Sequence, residues 1–263
     1  MLHDCIGLIC NKRGSFPIIR NVLVTAGGTS EPIDAMRVIT NKSTGKLGSL
    51  IAEAFAADET TEHIYYIHGQ GAIMPHSHKI IPIPIESVDD LVIGIQALLR
   101  DIRIDAVVHA MAVSDYRVKS VMSAETVIQP AQRITNIAAF AESLLESDIR
   151  SKGKKLSSNI ETPVLLLERT PKVLPLLREW LPEAVIVGFK LLSHVPDQEL
   201  IDTAYQLLVK NGCDYVLAND YATVSAGAHK GYLINTDKLI LSCSGKEDIA
   251  KTIAAKVLGR NDL

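Results

Sequence analysis

Several short segments of this chain bring together glycines, hydroxyls, an amide and isolated charges in patterns suited to holding an anion. Thr25-Ala26-Gly27-Gly28-Thr29-Ser30-Glu31-Pro32-Ile33-Asp34 follows an apolar run and leads through Arg37 and Asn41 to Ser43-Thr44-Gly45-Lys46-Leu47-Gly48. Glycines directly after a strand let backbone approach a phosphate, and a turn before a helix presents unpaired N–H groups. The segment is not G-x-G-x-x-G, and Gly45-Lys46 is no Walker motif, since Leu47 follows the lysine and the leading glycine is missing. As a bare pattern it is equally consistent with structural punctuation. A second segment, Met111-Ala112-Val113-Ser114-Asp115-Tyr116-Arg117, ends another apolar run. There an Asp can bind a ribose, an amine or Mg2+, or simply cap a turn.

Other residues are weaker as bare patterns. Lys155 lies in a polar stretch where a solvated charge is the commoner outcome, and Arg169 suits a phosphate or a surface ion pair. Asn219-Asp220 reads as turn chemistry. His76 and His78 lack a third metal ligand, and His109 reads as a core imidazole. There is no G-x-S-x-G elbow. Residue patterns alone point to an anion-binding protein with no protein-held metal.

The elements that must position these residues alternate between strand and helix. Apolar or β-branched runs at 21–25, 63–67, 79–83, 106–111, 164–167, 185–189 and 215–218 predict strands. Helical spacing predicts helices over 46–57, 137–145 and 197–210. Ser87 with Asp90 is a capping box opening a helix to about residue 99. Thr170-Pro171 reads as N-cap and N1 of a helix through Trp180, and Ser244 with Glu247 as the cap of a last helix. Residues 230–242 read as a hairpin around Asn235-Thr236-Asp237. Strands joined by crossover helices imply an α/β, Rossmann-like parallel sheet with helices on both faces, here with a long active-site loop between 113 and 163 and a C-terminal β-hairpin. Ligands of such sheets sit outside the strands' carboxyl ends, where the chemical segments fall. Residues 1–20 read as a loose N-terminal extension and 21–263 as one domain.

Composition narrows the classes. The 263 residues are 47% hydrophobic and 22% charged, which excludes a disordered chain. A net charge of -3 and 5% aromatics exclude a general nucleic-acid binder. No apolar run approaches the ~18 residues of a membrane span. Cys5, Cys10, Cys213 and Cys243 form no C-x-x-C pair, and no secretory leader precedes them. A cytoplasmic protein with reduced thiols is expected.

In order, Gly27 to Asp34, Arg37 to Gly48 around Asn41, Ala112 to Tyr116, Lys155-Leu156-Ser157-Ser158, Gly188-Phe189-Lys190 and Ala218-Asn219-Asp220 resemble the phosphopantothenate-cysteine ligase family of coenzyme A biosynthesis. The resemblance runs from about residue 21 to the C-terminus and is to the stand-alone bacterial type, without a fused decarboxylase. It implies joining phosphopantothenate to L-cysteine, with CTP rather than ATP as co-substrate. The carboxylate would attack the α-phosphate and release pyrophosphate, and the cysteine amine would then displace CMP from an acyl-cytidylate.

The resemblance also assigns roles. Asn41 would hold the acyl intermediate with Ala112 nearby, Arg37 would act close to it, and Lys155 would stabilise developing charge. Gly27, Gly28, Asp115, Lys155, Arg169, Pro171, Phe189 and Lys210 would contact the nucleotide. Gln206 stands where the family carries a second lysine, and the family's Lys-x-Lys-Lys is here Lys155-Leu156-Ser157-Ser158. Mg2+ would arrive on the nucleotide, and a homodimer is implied. The lysines and arginines at 37, 46, 155, 169, 190 and 210 would converge on one anionic site. Two other classes stay open: a nicotinamide-dependent reductase, against which His68-Gly69 stands where an acidic ribose ligand is needed, and a non-catalytic nucleotide-binding module.

Overall fold

The computed structural model describes residues 18–260 apart from 132–135, 137–139, 141, 143, 145–147, 150–154 and 226–228. Most of the expected 137–145 helix, and residues 1–17 with Cys5 and Cys10, lie outside the described residues. So does Lys154, the immediate neighbour of Lys155.

β1 (Asn21–Ala26), β4 (His63–His68), β5 (Ile80–Pro84), β6 (Ala106–His109), β9 (Val185–Leu192) and β10 (Tyr215–Asp220) form a parallel sheet, extended by the antiparallel β11 (Lys230–Asn235) and β12 (Ile240–Ser244). The order is β12-β11-β10-β9-β6-β1-β4-β5. From β1 the chain first builds outward through β4 and β5, then returns to β6 on the other side of β1. The crevice between the carboxyl ends of β1 and β6 is therefore the switch point of the sheet.

Alternate residues of the central strands feed two cores. Val22, Val24, Ile64, Val108 and Val187 meet Ile51 and Phe55 of α1 (Lys46–Ala56) and Ile249 and Ile253 of α7 (Lys246–Val257). Leu23, Ile67, Val107, Ile186 and Val216 meet α2 (Val88–Asp101), α4 (Val173–Trp180) and α5 (Asp197–Asn211) on the opposite face. This two-sided burial is why the central strands read as unbroken apolar runs. Each such large side chain contributes about 1.5–3 kcal/mol. β5 carries Pro82 and Pro84 because it is the edge strand, where a missing N–H costs no ladder bond. The Ser87–Asp90 capping box forms as the sequence indicates.

Four expectations change. Residues 164–167 are not a central strand: β8 (Pro163–Arg169) pairs antiparallel with β7 (Tyr116–Ser123) in a separate arm. Its residues alternate between exposed and half-buried, and a short apolar run does not by itself distinguish an arm from a sheet centre. Thr170 does not cap α4, which starts at Val173 after Lys172; its hydroxyl donates instead to the Ser114 carbonyl. The last helix is preceded by Gly245 without a side-chain cap, and Asp248 accepts from the Ser244 N–H at 2.7 Å. Residues 18–20 are anchored rather than loose, with Ile19 1% exposed in the core and Arg20 paired to Glu62. Within the β1–α1 connection a small ribbon forms from β2 (Ser30–Pro32) and β3 (Val38–Thr40). Its Ile33 and Ile39 pack on Val118, Val121 and Leu156 beside the arm. Two short helices, α3 (Ala124–Ala131) and α6 (Tyr221–Ser225), complete the order.

Candidate functional site

The strand ends at the switch point are knotted together by backbone. β1 runs into Gly27, whose φ of 80° is open to glycine at little cost. The Ala112 N–H donates to the Gly27 carbonyl at 2.8 Å, and the Thr29 N–H donates to the Ala112 carbonyl at 3.2 Å. Asn41 returns to the same point, its Nδ2 donating to that Ala112 oxygen at 3.2 Å. A Cβ on Gly28 would fall 2.7 Å from the Asn41 carbonyl oxygen, so this approach requires glycine. Gly27, Gly28, Asn41 and Ala112 thus form one cluster.

Beside it, α1 opens at Gly45, which has φ 69° and makes no side-chain cap, and its first turn carries no acidic residue. Apart from the Lys46 N–H, which donates to Thr44 Oγ1 at 3.4 Å, its leading N–H groups and the positive end of its dipole could face an anion. The helix can lie this close because Gly48 faces Ala26, where an added Cβ would come within 2.5 Å of the alanine methyl.

The second segment is held by hydroxyls. Thr29 Oγ1 accepts from the Ser114 N–H at 2.8 Å and donates to Ser114 Oγ at 3.0 Å, with both residues buried. The Thr170 N–H donates to the Asp115 carbonyl. Asp115 is exposed, its carboxylate paired with Lys172 Nζ. Both members of that pair are about two-thirds exposed, so it contributes at most ~1 kcal/mol and can open for a ligand. Arg169 ends β8 and Pro171 follows it, both exposed, and Arg169 has no ion pair among the described residues.

Arg37 reaches Asp34 through Nε at 2.9 Å and through Nη2, and Nη2 also donates to the Leu156 carbonyl at 3.2 Å. Lys155 is exposed beside it, without an ion pair among the described residues. On β9, Gly188 meets Leu174 and Cys213, which leaves Phe189 on the α1 face, half-buried against that core, with Lys190 next along the strand.

Lys210 does not join this cluster within the chain. α5 begins near the carboxyl ends, where Asp197 binds Lys230 and Tyr232, and runs to the opposite edge, where Tyr205 lies under Lys238 of the hairpin turn. A crossover helix must reverse the strand direction, so its last turn, carrying Lys210, lies at the amino ends of the strands. The expected convergence of six cations therefore loses this member.

Residue patterns missed several contributors. Thr29, Ser114 and Lys172 act through partners distant in the chain and carry no local signal. Asp34 closes the first motif. Glu31, 3% exposed, accepts from the Val88 N–H at the start of α2 at 2.9 Å. Burial raises its pKa, against the opposing pull of that hydrogen bond. Arg117 bridges Glu168 at 2.8 Å and Asp89 at 2.7 Å, fastening the arm to α2.

His109 is the core imidazole expected, with Nδ1 2.8 Å from Thr25 Oγ1 beneath the Ala112 loop. Burial lowers its pKa from 6.5 to about 4. The unfolded chain therefore binds the extra proton first, and stability present above pH ~6.5 is lost as pH falls toward ~4, on the order of 3 kcal/mol in all. The denaturant midpoint should drop more steeply between these pH values in the wild type than in His109→Gln; parallel curves would contradict this.

These features define an α/β protein in which glycine turns, the Asn41 amide and an uncapped helix start meet at the switch point of a mostly parallel sheet. Residues 19–129 and 120–260 match the model of the DNA/pantothenate metabolism flavoprotein C-terminal domain, and the chain belongs to that family. It is 31% identical over 219 residues to the coenzyme A biosynthesis bifunctional protein CoaBC of Thermococcus kodakarensis, covering 83% of this chain and 45% of the relative. It is 25% identical over 207 residues to human phosphopantothenate–cysteine ligase, covering 65% of this chain and 63% of the human protein. The chain spans about half the length of the bifunctional relatives it matches.

Among solved structures, the DNA/pantothenate metabolism flavoprotein of Streptococcus pneumoniae superposes with a TM-score of 0.77 at 32% identity, covering 92% of this chain and 99% of that one. A Cab2 variant crystallised with phosphopantothenate-cysteine shares the fold, with a TM-score of 0.64 at 18% identity and coverage of 92% and 86%.

Proposed function

We propose that this chain joins phosphopantothenate to L-cysteine using CTP, through an acyl-cytidylate. The observation that carries the reading is the Asn41 amide seated on the Ala112 carbonyl beside Gly27 and Gly28 at the switch point, in a chain of this family. In the first half-reaction a substrate carboxylate oxygen bonds to the α-phosphorus as the bond to pyrophosphate breaks. In the second, the cysteine amine bonds to the acyl carbon, CMP leaves with the electron pair of the acyl–oxygen bond, and the amine loses its proton to solvent.

The chain's residues divide this work. The N–H groups at Gly27, Gly28 and the start of α1 face the phosphates. Lys155 and Arg169 offset the charge that grows on the departing group. Asp115, released from Lys172, accepts from the nucleotide sugar, and Phe189 and Pro171 flank the nucleotide. Asn41 and Ala112 orient the acyl group for the amine. Mg2+ would travel on the triphosphate, held by phosphate oxygens and water. A homodimer and a cytoplasmic location accompany the reading; Cys213 and Cys243 are free, buried thiols, and among the described residues no helix is long and apolar enough to cross a membrane.

Pyrophosphate release measured with CTP and with ATP, each with and without L-cysteine, tests this directly. Release should require phosphopantothenate, favour CTP and turn over repeatedly only with cysteine. Absence of release with both nucleotides would refute the ligase reading, and preference for ATP would refute the choice of nucleotide.

A further inference from the structure

The carboxylate of Asp34 is 1% exposed and makes more bonds than its own turn requires. Oδ1 accepts from the Met36 and Arg37 N–H groups at 2.8 and 2.9 Å, which with the Ile33 N–H to Arg37 carbonyl bond closes the turn. Oδ2 is left to face the other way, where it accepts from the Leu156 N–H at 2.9 Å, 122 residues along the chain. Arg37 binds the same Oδ2 through Nε and then donates to the Leu156 carbonyl at 3.2 Å. Both backbone groups of Leu156 are thereby held, and its side chain, 8% exposed, is packed with Val118 and Val121. The Leu156 N–H belongs to the peptide that follows Lys155, so fixing it fixes the plane from which the Lys155 side chain departs.

We infer that Asp34 and Arg37 are positioning residues that clamp the Leu156 backbone and thereby aim Lys155 at the strand-end cluster. Nε and Nη2 of Arg37 are both taken up by the clamp, and through them Arg37 acts on the placement of Lys155. The guanidinium and the backbone donors hold the Asp34 carboxyl well below the usual carboxylate range, so the clamp stays charged at any working pH. Where the inference concerns activity it rests on the ligase reading; the contact itself does not.

Two measurements on the full chain separate these. In Asp34→Asn, hydrogen exchange at the Leu156 amide should quicken by about fivefold or more, the loss of one hydrogen bond, while exchange in β1 and β6 is unchanged. Pyrophosphate release should fall by ~10- to 100-fold, as for a misplaced catalytic group. Adding Asp34→Asn to Lys155→Gln should cost less than about twofold more, because the clamp has nothing left to aim. Arg37→Lys, which keeps the charge but not the fork, should repeat the pattern and serves if Asp34→Asn does not fold. Unchanged Leu156 exchange, or losses that multiply fully in the double variant, would overturn the clamp. A wild-type protein that releases no pyrophosphate would overturn the ligase reading and leave the exchange result to decide the contact.

Discussion

Lys155→Gln is expected to lower turnover by ~100-fold or more while leaving the fold intact. Removing one preorganised group that meets developing charge costs about 2.7–4 kcal/mol of barrier. Lys155 is exposed and makes no ion pair among the described residues, so its removal should change stability by no more than about 0.5 kcal/mol. A pyrophosphate-release assay beside a denaturant titration makes the comparison. Turnover within a few-fold of wild type would remove Lys155 from the chemistry. A matching fall in stability would assign it to the fold.

Asn41→Asp should divide the reaction. The Asn41 Nδ2 donates to the Ala112 carbonyl at 3.2 Å, and a carboxylate in its place has no proton to give, so the two oxygens repel and the side chain turns away. In the proposed reaction, activation by the nucleotide would depend on the glycine turns, the α1 terminus and Lys155, all of which remain. Transfer to the amine should fall by ~100-fold or more, the usual range for losing one oriented group, and acyl-cytidylate should accumulate. Quenched single-turnover reactions resolve the two steps; equal loss in both would contradict the division. Because Asn41 is exposed, the lost hydrogen bond should cost only about 0.5–1.5 kcal/mol of stability.

Much of the architecture was legible locally. The run from Asn21 to Ala26 lies between two strands and is buried on both faces, so its composition had to be continuously apolar. The apolar spacing from Lys46 marked a helix, and α1 runs from Lys46 to Ala56. Residues 164–167 misled because four apolar residues look alike in a sheet centre and in a two-stranded arm; the pairing partner at 116–123 distinguishes them. Thr170 misled because its hydroxyl found the Ser114 carbonyl before the helix could use it.

By itself, the sequence determined which residue types stand at the carboxyl ends of strands, and hence that an α/β sheet was being built, since period and punctuation are local properties. Only the tertiary structure decided which of those residues meet. It set Asn41 on the Ala112 carbonyl, tied Asp34 and Arg37 to Leu156, and left Lys210 at the far end of α5. Those outcomes depend on strand order and crossover direction, which relate residues scores of positions apart through a rigid sheet rather than through neighbouring bonds.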